Sequence, residues 1–214
     1  MEEAQILASI KQALEKAPSR KFAESVDLAI NLKDLDLSVP GNRINEEVVL
    51  PHGRGKSQKV AVIGSGEMVL KAKGVADMVI QPDEIEKIAD DKRGARKLVR
   101  SVEYFIAEAP LMPTIGKRLG VFLGPKGKMP RPVPPGSDPK NLIDNLRKTV
   151  RVRSRDKPTM HVPVGTSSMK PEDIAANVAE VLRRVEAKAP RGSANIGSVY
   201  IKTTMGPAVK VEAR

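Results

Sequence analysis

Cysteine and tryptophan are absent from this chain of 214 residues, and its aromatic residues are limited to three Phe and two Tyr. The lack of cysteine excludes disulfide bonds, thiolate metal sites and cysteine nucleophiles. No segment approaches the run of about 18 apolar residues that a membrane-spanning helix needs, and the acidic amino terminus is unlike a signal peptide. We therefore expect a cytosolic protein with no membrane partner, whose hydrophobic fraction of 40% suffices for a packed core.

Acidic residues are fewer than basic ones, with 26 Asp and Glu against 37 Lys and Arg, for a net charge of +11. Such an excess favours a polyanionic partner, and nucleic acid is a better candidate than an acidic membrane surface or an acidic protein. Because aromatic side chains are scarce, the stacking of bases is a poor means of recognition here. Phosphates, sugar hydroxyls and nucleic-acid shape are the features that we expect the chain to bind.

The excess of basic residues is concentrated in one part of the sequence. Residues 1–59 have no net charge, residues 60–155 carry +8 and residues 156–214 carry +3. Residues 117–155 alone hold eleven basic and two acidic side chains, a density beyond what solubility requires. We predict secondary phosphate contacts in this stretch. The basic residues assigned to them are Lys117, Arg118, Lys126, Lys128 and Arg131.

The periodicity of apolar residues differs between the chain ends and the middle. Both ends combine a helix with strands that alternate apolar and polar residues, as in Ser25–Ile30 and Ser198–Lys202. The middle contains short, continuous apolar strands such as Val60–Ile63, separated by helical segments, which is typical of a small parallel sheet. We predict an α/β fold in which the two ends form one α+β domain and the middle is an inserted three-layer α/β domain.

The predicted boundaries follow from that division. Residues 1–59 and 156–214 form one discontinuous domain, residues 60–155 form the inserted basic domain, and a two-strand hinge lies near residues 59 and 156. A helix is predicted over Asn141–Val150. A longer helix is predicted to begin after the cap residue Ser168.

Two motifs resemble nucleotide-binding loops, but the spacing of their glycines does not match the patterns that such loops require. Gly53–Ser57 (GRGKS) lacks the glycine that a phosphate-binding loop needs at position 50, where Leu50 stands. Val60–Gly66 (VAVIGSG) lacks the third glycine of a dinucleotide fingerprint, because position 69 is valine. A nucleotide-dependent enzyme based on the second motif and a general DNA-compacting protein remain as rival hypotheses. The sequence predicts a protein that is not an enzyme and has no cofactor and no metal site.

The loop Thr203–Pro207 (TTMGP) has two interpretations. Gly206 is expected to supply a backbone conformation that is closed to other residues, and Pro207 fixes the next φ. Taken alone, the loop is most simply an ordinary hairpin turn. An exposed Met205 between hydroxyl groups would also suit the sugar edge of an RNA minor groove, where 2′-hydroxyls are displayed.

Five segments, in this order along the chain, resemble the L-one family of ribosomal proteins, which builds the mobile side stalk of the large subunit. They are Lys21–Leu32 (KFAESVDLAINL), Leu50–Lys56 (LPHGRGK), Leu123–Pro134 (LGPKGKMPRPVP), His161–Val178 (HVPVGTSSMKPEDIAANV) and Ser198–Val211 (SVYIKTTMGPAVKV). The similarity covers nearly the whole chain, and the KMPRPVPP sequence resembles the archaeal branch more than the bacterial one.

The resemblance implies a structural constituent of the large ribosomal subunit that is a monomer when free and acts in the cytoplasmic ribosome. The implied partners are large-subunit ribosomal RNA, exit-site tRNA, whose movement and release the stalk assists, and the protein's own mRNA, whose translation it represses. The terminal domain is the family's principal RNA-binding unit. Carried onto this chain, the implied RNA-binding residues are Lys21, Phe22, Ser25, Asp156, His161, Ser198, Thr203, Thr204, Met205 and Gly206.

Overall fold

The computed structural model describes residues 3–154 and 157–211, and the chain divides into two compact units. The terminal unit comprises residues 1–56 and 148–214, and the inserted unit comprises residues 57–147. The fold is mixed α/β with one antiparallel and one parallel four-stranded sheet, as predicted from the patterning of the sequence. Asp156, one of the implied RNA-binding residues, lies outside the described residues.

A four-stranded antiparallel sheet forms the centre of the terminal unit, in the order β10-β9-β1-β8. Its strands are β1 (Ser25–Leu32), β8 (Thr159–Thr166), β9 (Ile196–Thr203) and β10 (Val209–Val211). Two helices, α1 (Glu3–Glu15) and α7 (Pro171–Lys188), pack on one side of this sheet. The apolar residues of each strand that face the helices are buried, so the core lies between the sheet and this helical layer.

A separate two-stranded ribbon in the terminal unit joins β2 (Asn45–Val49) to β7 (Thr149–Arg153) in antiparallel pairing. The sequence predicted a helix up to Val150, but the helix ends at Lys148 and TVRVR continues as a strand. Val150 and Val152 are buried in the terminal core, and this favours extended backbone because the alternate positions of a strand face one side. The second crossing between the units therefore lies at 147/148, where the sequence predicted 155/156.

The position of β7 changes the distribution of charge. The terminal unit has 21 basic and 15 acidic residues, and the inserted unit has 16 and 11. The excess is therefore shared almost equally, at +6 and +5, rather than concentrated in the inserted unit. Both units carry enough positive charge to attract a polyanion.

Four parallel strands form the sheet of the inserted unit, in the order β4-β3-β5-β6. They are β3 (Val60–Ile63), β4 (Met78–Ile80), β5 (Tyr104–Glu108) and β6 (Arg131–Val133). The helices are α2 (Gly66–Ala72), α3 (Pro82–Asp90), α4 (Lys92–Ser101), α5 (Met112–Leu123) and α6 (Lys140–Lys148). One apolar cluster joins the sheet to α3, α4 and α5, and a second joins its opposite face to α2 and α6, so this unit has three layers.

Some elements differ from their predicted extents. The sequence predicts a helix from about Glu84 to Val99 that is interrupted near Gly94. The interruption lies at Asp91, which ends α3 and accepts a hydrogen bond from the amide of Arg93 at the start of α4. The long helix α7 begins at Pro171 with Lys170 at its cap position, while Ser168 instead contacts Thr166 through a 2.9 Å hydroxyl–hydroxyl bond. Within the described residues, no helix combines the length and the apolar character needed to cross a bilayer.

Candidate nucleic-acid interface

One side of the terminal sheet is not covered by the two helices, and we call it the open face. Alternate strand residues point to this side, and nearly all of them are exposed or half-buried, whereas the intervening residues are buried. The open face is formed by Ser25, Asp27, Ala29 and Asn31 of β1, Thr159, His161 and Pro163 of β8, Ser198, Tyr200 and Lys202 of β9, and Lys210 of β10. Three predicted RNA-binding residues, Ser25, His161 and Ser198, thus share one surface.

Asn31 is the centre of a hydrogen-bonded row across three strands. Its Nδ2 donates to the hydroxyl of Ser198 at 2.8 Å, and its Oδ1 accepts from the hydroxyl of Thr159 at 2.8 Å. The strand register places these residues directly opposite one another. The row holds the Ser198 hydroxyl in a defined orientation at one end of the open face, next to the exposed ring of His161.

A second polar cluster lies at the other end of β1. The backbone amide of Thr204 donates to the carbonyl oxygen of Ser25 at 2.9 Å. The Thr204 hydroxyl lies 2.8 Å from Asp27 Oδ2 and 3.1 Å from the same Ser25 carbonyl oxygen. Lys56 Nζ donates to the Ser25 hydroxyl at 3.1 Å. These contacts orient two hydroxyl groups and one cation at the edge of the open face.

The TTMGP loop projects Met205, which is 58% exposed, while the side chain of Thr203 is 1% exposed and belongs to the interior. Gly206 does not adopt the left-handed conformation expected from the sequence. Glycine is needed at this position for a steric reason, because a Cβ there would collide with Oγ1 of Thr203. The Gly206 amide donates to the Thr203 carbonyl oxygen at 3.0 Å and closes the turn.

Phe22 is 58% exposed and precedes β1 together with the exposed Lys21. Its ring offers apolar surface that a partner could cover. The predicted residues therefore form two groups, one near Ser25 and one near Ser198. Ser25 and Asn31, at the two ends of the open face, are six positions apart along β1, which corresponds to about 20 Å.

The sequence did not single out seven polar residues on or beside this surface: Asp27, Asn31, Lys56, Thr159, Tyr200, Lys202 and Lys210. Alternation along β1 could have indicated Asp27 and Asn31, because both share the side of Ser25. Lys56 belongs to the LPHGRGK segment. That segment contributed to the family resemblance, but no functional role was predicted for it. The position of Lys56 depends on tertiary contacts made by the rest of that segment.

Asn177, which is fully buried in α7, anchors the LPHGRGK segment. Its Oδ1 accepts from the amide of His52 at 3.1 Å, and its Nδ2 donates to the carbonyl oxygens of Gly53 and Val164, both at 2.8 Å. Gly53 and Gly55 have φ of +67° and +74°, a left-handed conformation that favours glycine. This framework sets the course of the chain that leads to Lys56.

The predicted phosphate contacts of the inserted unit differ in their surroundings. Lys117 and Lys126 are exposed. Arg118 is paired with Glu86 at 3.1 Å, and Lys128 donates to the carbonyl oxygens of Val99 and Val102 at 3.0 and 2.6 Å. Arg131 of β6 is partly buried and has a partner within the protein. Phosphate would have to compete with these protein partners at all but the two exposed lysines.

The VAVIGSG segment ends at the carboxyl edge of the parallel sheet, where α/β proteins often bind nucleotides. Glu108, which is 5% exposed, accepts from the amide and the hydroxyl of Ser65 at 3.1 and 2.8 Å. A buried carboxyl group at this edge disfavours a phosphate, in line with the rejection of the motif. Among the residues that the structure describes, no group of three or more His, Asp or Glu is placed to hold a metal ion.

Comparison with known proteins identifies the family to which the chain belongs. The sequence model of the Ribosomal protein L1p/L10e family matches residues 13–207. The chain is 55% identical over 205 residues to the large ribosomal subunit protein uL1 of Thermoplasma acidophilum, covering 96% of this chain and 94% of that protein. It is 50% identical over 207 residues to the uL1 protein of Archaeoglobus fulgidus, covering 96% of each. The chain therefore belongs to the Ribosomal protein L1p/L10e family, a family of ribosomal proteins and not of enzymes.

Proposed function

We propose that this chain is a structural constituent of the large ribosomal subunit, in the cytoplasmic ribosome, and that it binds ribosomal RNA directly through the open face and the TTMGP loop. The observation that carries the proposal is that Ser25, Ser198 and Thr204 present polar groups on or beside the open face, while Phe22 and Met205 are exposed in the segments next to β1 and β9. Both family membership and the names of the relatives support the ribosomal assignment.

The hydrogen-bonding groups of the open face suit the sugar edge of RNA. Because Asp27 and the Ser25 carbonyl oxygen are acceptors, they take the hydroxyl hydrogen of Thr204, whose lone pairs are then available to a 2′-hydroxyl. Asp27 is itself an acceptor for a 2′-hydroxyl but repels a phosphate. Such a site discriminates RNA from DNA, which lacks that group.

Apolar contact and charge would complete the interface. Phe22 and Met205 offer apolar surface that can cover ribose faces and exclude water from the hydrogen bonds. Lys21, Lys56 and Lys202 lie in or beside the two polar groups and can bind phosphates. The separation of about 20 Å along β1 allows contacts with two segments of a folded RNA, so recognition would depend on RNA shape.

Two finer roles rest on the family resemblance. A messenger RNA with a similar fold would occupy the same open face, so the chain would also repress translation of its own mRNA. Movement and release of deacylated tRNA from the exit site is the role that the resemblance assigns to the stalk. Competition between the mRNA leader and ribosomal RNA for the full chain would test the first role, and mutual exclusion is expected.

A binding experiment tests the principal proposal. Thr204→Ala and Met205→Ala are compared with Thr114→Ala and Met78→Ala, which remove the same groups from exposed positions in the inserted unit. Affinity for large-subunit ribosomal RNA is measured by gel shift, and nuclease footprinting locates the contacts. Loss of one or two hydrogen bonds or an apolar contact predicts a roughly tenfold weakening for each terminal-unit variant.

The control variants should bind like the unmodified chain, and excess duplex DNA should not displace the RNA. Equal affinities for the terminal-unit variants and the controls would refute the site. Efficient displacement by duplex DNA would instead favour the DNA-compacting hypothesis. A thermal shift with nucleotides at physiological concentration would favour the enzyme hypothesis.

A further inference from the structure

Helix α4 carries a continuous stripe of positive charge on its solvent side. The sequence of the helix is KRGARKLVRS, and its exposed cations are Lys92, Arg93, Arg96, Lys97 and Arg100. At 100° per residue, these five side chains fall within an arc of about 140° and extend along about 12 Å of the helix axis. Ala95 and Val99, which lie outside this arc, are buried in the core.

Within the described part of the chain, the five side chains have no ion pair and no hydrogen bond to the protein. Several basic residues of other helices are instead neutralised locally. Arg183 and Arg184 of α7 pair with Glu180, and Lys71 of α2 pairs with Glu67. The unpaired cations of the inserted unit are therefore more concentrated on α4 than among the predicted contacts, where Arg118 and Lys128 have protein partners.

This arrangement opposes the stability of the helix itself. Arg93 and Lys97 are like charges at i,i+4, as are Arg96 and Arg100, and each such pair destabilises a helix by about 0.2–0.5 kcal/mol. Lys92 and Arg93 also lie in the first turn, which has no acidic residue and where the helix dipole disfavours positive charge. Solubility alone does not require like charges to be adjacent on one side of a helix. The arrangement is instead suited to binding an anionic ligand.

We propose that the solvent side of α4 binds the phosphates of RNA, as a sequence-tolerant contact of the inserted unit. This inference rests on the proposed function of the chain as an RNA-binding ribosomal protein. None of the large apolar side chains exposed in the described residues lies on α4. Protein interfaces need apolar or aromatic anchors and are poor in lysine, whereas a phosphate backbone needs cations alone, so RNA is a better partner than an acidic protein.

The test uses the full chain and large-subunit ribosomal RNA from its source organism. The triple variant Arg93→Gln, Arg96→Gln and Lys97→Gln is compared with Lys73→Gln, Lys87→Gln and Lys140→Gln. Both variants remove three exposed charges from the inserted unit, so their net charges are equal. Binding constants are measured between 50 and 300 mM salt.

Each phosphate contact contributes about 0.7–0.9 to the slope of log K against log salt concentration. The α4 variant should therefore lower the slope by about 2 and weaken binding about tenfold or more at 0.1 M salt. The control variant should change the slope much less. Because the α4 variant removes repulsion within the helix, its melting temperature should equal or exceed that of the unmodified chain.

Equal slopes for the two variants would overturn the inference while leaving the proposed function intact. Failure of the unmodified chain to bind this RNA would instead refute the proposed function. Polyglutamate serves as a probe for an acidic protein partner. An unchanged RNA slope with loss of polyglutamate binding in the α4 variant alone would overturn the inference in favour of such a partner.

Discussion

The hydroxyl group of Thr204, in the loop that follows β9, lies 2.8 Å from the carboxylate of Asp27 on the neighbouring strand β1. The bond places an acidic group inside the proposed RNA interface, where simple charge attraction would not put one. It orients the hydroxyl of Thr204 and leaves a second acceptor beside it. The pair is therefore chemically suited to bind 2′-hydroxyl groups rather than phosphates.

Asp27→Asn is expected to reduce discrimination between RNA and DNA. The substitution removes a charge that repels phosphates and replaces an acceptor oxygen by a donor, so binding of duplex DNA should strengthen while binding of ribosomal RNA weakens. The ratio of the two affinities should fall about tenfold, the equivalent of about one charge-assisted hydrogen bond. Competition binding with both nucleic acids measures the ratio.

Asp144→Asn is the matched control, because it removes the same charge from an exposed position on α6. Its affinity ratio should stay at the value of the unmodified chain. A ratio that falls equally in both variants would show that net charge, and not the Thr204–Asp27 pair, sets the preference for RNA.

Gly206→Ala is expected to destabilise the terminal unit by about 1–3 kcal/mol, as overpacking does in well-packed sites. The new Cβ would collide with the Thr203 hydroxyl. Thermal denaturation measures the effect. Combining it with Thr203→Ala should give less than the sum of the two single effects, since the second substitution makes room for the first.

Gly116→Ala provides the contrast, because a Cβ at that position in α5 meets no atom within 4 Å. It should stabilise the chain by about 0.5–1 kcal/mol through helix propensity. A stabilising effect of Gly206→Ala as well would contradict the steric explanation of the TTMGP loop.

Asn177→Ala is expected to lower the stability of the terminal unit by about 3 kcal/mol. The substitution leaves the His52 amide and the carbonyl oxygens of Gly53 and Val164 without their side-chain partner in a buried site. Denaturant unfolding measures the loss. The exposed Asn141 of α6 is a suitable control, and Asn141→Ala should have little effect; equal losses would refute the anchoring role of Asn177.

The carboxylate of Asp77 joins the two ends of the inserted unit, since its Oδ2 accepts from the amide of Val60 at 2.9 Å and from Arg147 Nη2 at 3.2 Å. Burial by itself raises the pKa of Asp77, but these two donors, the charge of Arg147 and the amide of Asp77 itself together lower the pKa by more, to below its usual value of 3.8. The carboxylate therefore stabilises the fold fully above pH 3.8, and this contribution is lost as the pH falls through the lower folded pKa.

Asp77→Asn should accordingly destabilise the inserted unit at pH 6 by about 1–2 kcal/mol, the size of a charge-assisted hydrogen bond. The difference from the unmodified chain should shrink below pH 3.8. Acid titration of the unfolding free energy checks both statements, with the exposed Asp90→Asn as control. A difference that persists unchanged at the lowest pH would rule out the charge of Asp77 as its cause.

Most strands could be predicted from local patterns. Val60–Ile63 is a strand over exactly the predicted residues, because a continuous apolar run of this length is stable only when buried in a sheet. The strand β7 was missed because TVRVR follows a helical segment without a glycine or proline to mark the change. Its conformation depends on pairing with β2, about 100 residues earlier in the chain.

The candidate site was predicted through motifs, but its geometry was not. Thr203 and Thr204 are adjacent and identical in type, yet the first is buried and the second reaches the open face. Alternation in a strand explains the difference only once β9 is known to extend to Thr203. For Lys128, the sequence shows a cation in a basic stretch, while the fold places its ammonium group against the end of α4.

The mixed α/β class, the family and the segments proposed to bind RNA could all be predicted from the sequence alone, because these depend on residue type and on spacing within short windows. Three features required the folded structure: which hydroxyls share a face, which cations are already paired, and where the second crossing lies. The physical reason is distance along the chain. Asn31 and Ser198 form one hydrogen bond although 167 positions separate them, and no local pattern specifies such a contact.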